Sequence, residues 1–222
     1  MTTSTVEDYL KCIYQAEQLS GGQLVPTGQI AASLKVTPGT ATSMVKTLAD
    51  SGLVSHEPYS GVRLTAAGAK LAAHVLRRHR VVELFLVQVM GMNWSEVHSD
   101  AEILEHAVSD RLIDRMDEML GRPAVDPHGD PIPNARGVIK EKDYPTLLAC
   151  PLGAAVRIAR VTDQAPEFLR FLERHGLVPG NRILVQSRDE EGDTMLIRPE
   201  AGKSFPLGLR AASKILVEPI DK

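Results

Sequence analysis

Thr37-Pro38-Gly39, set between two short stretches of helical periodicity, constrains the fold of this chain more than any other run in it. Proline has a fixed φ and no N–H, so a helix accepts it at its first position and not inside. Upstream, PTGQIAASLKV puts Ile30, Ala31 and Leu34 on one helical face. Downstream, TPGTATSMVKTLADSGL puts Ala41, Met44, Val45 and Leu48 on another, with Thr37 as the predicted N-cap and Gly52 as the stop. Two short helices around a tight turn make a helix-turn-helix. An earlier helix is predicted in VEDYLKCIYQAEQL, where Val6, Tyr9, Leu10, Ile13, Tyr14 and Leu19 recur at three- and four-residue steps before Gly21-Gly22. After the second helix, LVSHEPYSGVRLTAAG has β-type runs on either side of Pro58-Tyr59-Ser60-Gly61, a hairpin where a wing belongs. A bend between helices also occurs in all-α domains with no DNA role, and it is the hairpin that tips the balance to a winged helix-turn-helix.

Such a fold reads the major groove with small polar groups at the exposed start of its second helix. Thr37, Gly39, Thr40, Thr42 and Ser43 occupy that start, and Lys46, Lys70 and Arg63 on the wing are placed to meet phosphates. Helix capping or simple exposure is the competing explanation for each hydroxyl. The formal charge of -3 excludes a protein that grips polyanions with its whole surface, but residues 1–80 carry +3, residues 81–145 carry -7 and residues 146–222 carry +1. A lone helix-turn-helix of such modest charge binds weakly, so a homodimer on two half-sites of double-stranded operator DNA is expected.

From Thr65 a long amphipathic pattern runs to Gly91, and a second begins at Ser99 and is expected to continue as one helix to Gly121. Residues 121–145 hold five prolines and three glycines and read as a linker or extended arm. Beyond them GAAVRIARV, NRILVQ, MLIR and KILVEPI are strand-like and PEFLRFLERHG is a short helix, which predicts a small all-β barrel of the SH3-like type. The expected division is a winged helix-turn-helix domain at 1–72, a helical domain at 73–145 and a β-barrel domain at 146–222. No stretch approaches the roughly 20 apolar residues of a membrane span, and MTTSTVEDYLK lacks the pattern of a signal peptide, so a cytoplasmic protein without membrane contact is expected. Cys12 and Cys150 form no C-x-x-C and predict neither a disulfide framework nor a thiolate zinc site.

The acidic zone also concentrates histidine: His74, His79, His98 and His106 fall within or beside it. In Glu102-Ile-Leu-Glu105-His106, helical positions i, i+3 and i+4 would turn two carboxylates and an imidazole to one point. His79 and Glu83 repeat the spacing, and His98 lies just before Glu102. Each has an ordinary alternative: Ser99 with Glu102 as a capping box, His79 with Glu83 as a surface pair, Glu105 as mere exposure. The joint spacing favours a metal. Oxygen donors with one imidazole and no thiolate suit Mn²⁺ or Fe²⁺. H-E-x-x-H, a Walker loop, G-x-G-x-x-G and a nucleophile beside a base are all missing, so no enzyme and no small organic substrate are expected, although an organic effector remains an alternative to the metal.

With EDYLKCIY, ADSGLV, RLTAAG, RRHRVVELFL, VHSDAEILEHAVSD and GDPIP in view, the chain resembles the diphtheria toxin repressor family of metal-dependent winged-helix regulators over its whole length. The resemblance implies a dimer built on helices at roughly 65–120 and a C-terminal barrel similar to the FeoA fold. It also implies a metal corepressor that ties the first helix to the dimerisation helices. Carried over by motif, the primary ligands are Asp8, Glu102, Glu105 and His106, and the ancillary ones are His79, Glu83 and His98, with Gln164 and Glu167 from the barrel. Asp8 and Glu102 match the manganese-sensing branch; the iron-sensing branch has methionine and cysteine at these places. An Mn²⁺-responsive repressor of metal-homeostasis genes such as those of manganese uptake is therefore expected, with an Fe²⁺ or dual sensor as the alternative. Lys11 departs from sensors that carry glutamate there and hold a two-ion cluster, which favours separate sites.

Overall fold

The computed structural model describes residues 3–140 and 142–220. The chain forms two compact units, one of Met1–His79, Leu104–Asp114 and Pro133–Ile139, the other of Arg80–Ile103, Arg115–Ile132 and Lys140–Lys222. In the first unit, α1 (Ser4–Leu19), α2 (Thr27–Ser33) and α3 (Pro38–Asp50) precede a hairpin of β1 (Val54–Glu57) and β2 (Gly61–Leu64), after which α4 (Ala66–Gln88) begins. The Thr37 hydroxyl accepts from the Thr40 N–H at 3.2 Å and Pro38 takes the first helical position, as the sequence predicts. Leu10 and Ile13 of α1, Ile30 of α2, Ala41, Val45 and Leu48 of α3 and Val62 of β2 form one buried core. Each fully buried aliphatic side chain contributes roughly 1.5–3 kcal/mol, which fixes α3 on α1 and α2. The hairpin is antiparallel, with Val54 opposite Leu64, and completes the expected winged helix-turn-helix.

The predicted single helix from Ser99 to Gly121 is instead two, α5 (Val97–Leu104) and α6 (Asp110–Met119). The Ser109 carbonyl accepts from the Leu112 and Ile113 N–H groups, so Ser109-Asp110, serine followed by an acid, starts a new helix. Glu105 and His106 consequently lie in the turn between helices, not on a helical face. Ser99 lies inside α5 with its hydroxyl donating to the Glu96 carbonyl, so it caps nothing.

In the second unit, β3 (Ala155–Val161), β4 (Arg182–Asp189), β5 (Thr194–Pro199), β6 (Phe205–Gly208) and β7 (Ile215–Pro219) make an antiparallel sheet in the order β6-β5-β4-β3-β7. Alternate residues such as Val156, Ile158, Ile183, Val185, Met195 and Ile197 share a core with Leu169 and Leu172 of α7 (Pro166–Arg174) and with Trp94. Strand β6 went unpredicted because FPLG carries a proline, which a strand tolerates at the edge where this one lies. The segment read as a linker holds a buried turn: the Asp126 carboxylate accepts from the His128 and Asp130 N–H groups at 2.8 and 2.9 Å. Gly129 has φ +88°, and a Cβ there would meet the Ala159 carbonyl oxygen at 2.1 Å, so only glycine lets the turn press onto β3. Among the described residues no helix is long and apolar enough to cross a membrane.

Candidate metal centre and nucleic-acid interface

Helix α1 buries Leu10 and Ile13 on one face and sets Glu7, Asp8 and Lys11 together beside the turn that carries Glu105 and His106. Glu105 is fully buried, and its two oxygens have different partners. Oε1 accepts from the Lys11 ammonium at 2.6 Å, and Oε2 lies 2.5 Å from His79 Nδ1. His106 faces carboxylates with both ring nitrogens, Nδ1 2.8 Å from Glu7 Oε2 and Nε2 2.8 Å from Asp8 Oδ1, and its Nε2 is also 3.4 Å from Glu105 Oε1. Arg78 pairs with the other Glu7 oxygen at 2.9 Å. One ligand atom from each of Asp8, Glu105 and His106 lies within 4.8 Å of the others. Three converging donors, two of them carboxylate oxygens and none sulfur, fit a hard to borderline divalent cation.

In the second unit Glu83 of α4 is the hub. Its Oε1 lies 3.1 Å from His98 Nδ1 and its Oε2 3.8 Å from His128 Nδ1, and His98 Nε2 is 3.6 Å from Glu102 Oε1 in the last turn of α5. Glu83, Asp126 and His128, all buried, bring ligand atoms within 4.8 Å of one another. The His128 Nε2 lies 2.9 Å from the Trp94 carbonyl, which only accepts, so Nε2 carries hydrogen, and Nδ1 is the nitrogen that a metal ion beside Glu83 would take. Burial, with the charges of Asp130 and Glu83, pushes the Asp126 carboxyl up to about 7, against the pull of Arg80 and His128. Burial opposes charging of His128, but Glu83 and Asp126 outweigh it and raise its pKa; at 3.8 Å the Glu83 oxygen acts by charge without a hydrogen bond. His79 and Glu83 sit one turn apart on α4, on either side of the division between the units. Gln164 donates to Asp130 at 2.7 Å, whereas Glu167 is exposed in the first turn of α7.

Sequence reasoning missed Glu7, Asp126 and His128. The signal for the last two is present in Asp126-Pro127-His128-Gly129-Asp130, three donors in five residues, but its proline and glycine are equally the marks of a linker.

At the start of α3 the hydroxyls divide by role. Thr37 and Thr40 lie 2.8 Å apart in the cap, and Thr42 donates back to the Pro38 carbonyl at 2.8 Å. Gly39, Ser43 and Lys46 are exposed. Arg63, exposed on the wing, donates to the Gly22 carbonyl at 3.0 Å and ties the hairpin to the chain just after α1.

Three family descriptions match in succession: iron dependent repressor, N-terminal DNA binding domain, over residues 1–62; iron dependent repressor, metal binding and dimerisation domain, over 65–134; and FeoA domain, over 146–219. The iron-dependent repressor IdeR of Mycobacterium tuberculosis is 30% identical over 95% of this chain and 96% of its own length. The HTH-type transcriptional regulator MntR of Bacillus subtilis is 33% identical over 54% of this chain and 82% of its own. Among solved structures, a manganese-dependent transcriptional repressor in complex with manganese superposes with a TM-score of 0.85 at 38% identity, covering 97% of this chain and all of that one, 100%.

Proposed function

The chain belongs to the iron-dependent repressor family, whose members are metal-dependent DNA-binding regulators and not enzymes, and from this we propose that it is an Mn²⁺-responsive repressor of metal-uptake genes. It works as a homodimer on double-stranded operator DNA in the cytoplasm, through a winged helix-turn-helix at 1–72, a metal-binding and dimerisation domain at 73–145 and the FeoA-type domain at 146–222. The observation that carries this reading is the convergence of Asp8, Glu105 and His106, a sulfur-free donor set within 4.8 Å. The family likeness, rather than this convergence, is what adds Glu102 to the primary set. The ancillary set is His79, Glu83 and His98 with Gln164 and Glu167, and Asp126 and His128 are proposed beside it because their ligand atoms lie within 4.8 Å of one of Glu83. Mn²⁺ stands at the bottom of the affinity order for divalent ions, so hard oxygens in a fixed arrangement are what select it; the likeness to a manganese-dependent repressor supports the same choice over Fe²⁺.

A bound divalent ion supplies the positive charge that lets these carboxylates share one point. Asp8 translates that event into position, because it lies on α1, whose Leu10 and Ile13 pack in the same core as Ala41, Val45 and Leu48 of α3. The exposed start of α3 contacts base edges, Thr37, Gly39, Thr40, Thr42 and Ser43 forming the approach, and Lys46 and Arg63 meet phosphates.

The test is operator-fragment binding at buffered free Mn²⁺, Fe²⁺, Co²⁺ and Zn²⁺ for the wild type and for Glu105→Ala, His106→Ala and Glu83→Ala. The expected result is activation by Mn²⁺ that is abolished in the first two variants and weakened in the third. Wild-type binding that ignores every metal, or that answers only to an organic effector, would overturn the proposal.

A further inference from the structure

Lys11 is buried, and its ammonium lies 2.6 Å from Glu105 Oε1, the same oxygen that lies 3.4 Å from His106 Nε2. The carboxylate a divalent ion would take is thus already held by a cation of the chain. A buried carboxylate cannot stand uncompensated, and an ammonium here supplies the missing charge. The same ammonium repels any second cation brought to that oxygen, at an effective dielectric far below that of water. Glu7, Asp8, Arg78, His79 and His106 surround the pair, and of the other cations Arg78 is committed to Glu7 at 2.9 Å. Lys11 therefore bears directly on Glu105, one of the three converging donors.

We propose that Lys11 is an affinity-setting competitor: its ammonium holds Glu105 in the metal-free chain, so a divalent ion gains this ligand only against a resident charge. Lys11 thereby sets the concentration at which the site fills. The inference rests on the metal site at Asp8, Glu105 and His106.

Mn²⁺ binding is read by the electron paramagnetic resonance of the free ion, on full-length wild type, Lys11→Gln, Lys11→Arg and His106→Ala, with thermal unfolding of each metal-free protein alongside. Glutamine keeps an N–H to offer Glu105 and loses the charge; arginine keeps the charge. The expected result is Mn²⁺ affinity raised about tenfold or more in Lys11→Gln and changed less than about threefold in Lys11→Arg, while metal-free Lys11→Gln unfolds at lower temperature. A purely structural lysine would lower unfolding temperature without raising affinity, and unchanged or weakened Mn²⁺ binding in a folded Lys11→Gln overturns the inference. If wild type and His106→Ala bind Mn²⁺ alike, it is the site assignment that fails.

Discussion

On the proposed reading, Asp8 and Glu102 are the residues at which metal choice separates from metal binding. Both supply hard oxygens, whereas Glu105 and His106 serve any divalent ion of borderline character. Changing Asp8→Met and Glu102→Cys together substitutes soft sulfur donors, and the order of metals that activate operator binding should then shift toward Fe²⁺ and Co²⁺ as Mn²⁺ activation falls. An unchanged order of potency would place selectivity around Glu83 instead. The same scale separates the two kinds of DNA contact. Ser43, exposed on the first turns of α3, should shift preference between operators by roughly 1–3 kcal/mol when substituted. Arg63→Ala should weaken all sequences alike and shallow the salt slope by about one unit. Because Arg63 also donates to the Gly22 carbonyl, the variant's unfolding midpoint must be measured beside its binding; a salt slope unaltered in a well-folded variant would leave Arg63 a brace for the wing.

Element by element, what was legible followed from local chemistry. Thr37-Pro38-Gly39 announced a cap and a start because a threonine hydroxyl and a proline ring act within one turn, and the structure has both at α3. The hairpin was readable from Pro58-Tyr59-Ser60-Gly61 for the same reason. The break at residues 105–109 was not, because the apolar periodicity runs on across it while Ser109-Asp110 restarts the helix. The convergence of Glu105 and His106 with α1 was anticipated, but through a helical face that the chain does not form there. The buried turn at Asp126–Asp130 escaped because its glycine reports a close approach to β3 that only tertiary contact reveals. That turn makes its own prediction. Gly129→Ala forces a side chain against the Ala159 carbonyl at positive φ, and should cost about 3 kcal/mol from overpacking and left-handed strain together. Urea unfolding checks it, and metal binding at Asp8, Glu105 and His106 should outlast binding around Glu83. A Gly129→Ala protein as stable as wild type would mean that the turn is not pressed onto β3.

For the whole molecule, a net charge of -3 leaves DNA binding to the small positive excess of residues 1–80 and to the placement of α3. On the proposed reading, a chain of this charge gains operator affinity by organising its reading heads, with metal as the organiser: Asp8 couples the site to α1, and α1 shares a core with α3. Thermodynamic linkage makes that coupling reciprocal: if Mn²⁺ tightens operator binding by some factor, the operator must tighten Mn²⁺ binding by the same factor. The decisive measurement is therefore a closed cycle on the wild-type protein, with operator affinity at saturating Mn²⁺ and in chelator, and Mn²⁺ affinity with and without operator. Equal factors on the two arms are expected, on the order of tenfold to a hundredfold. Operator affinity that is the same in chelator as in Mn²⁺, with Mn²⁺ affinity indifferent to operator, would contradict that coupling.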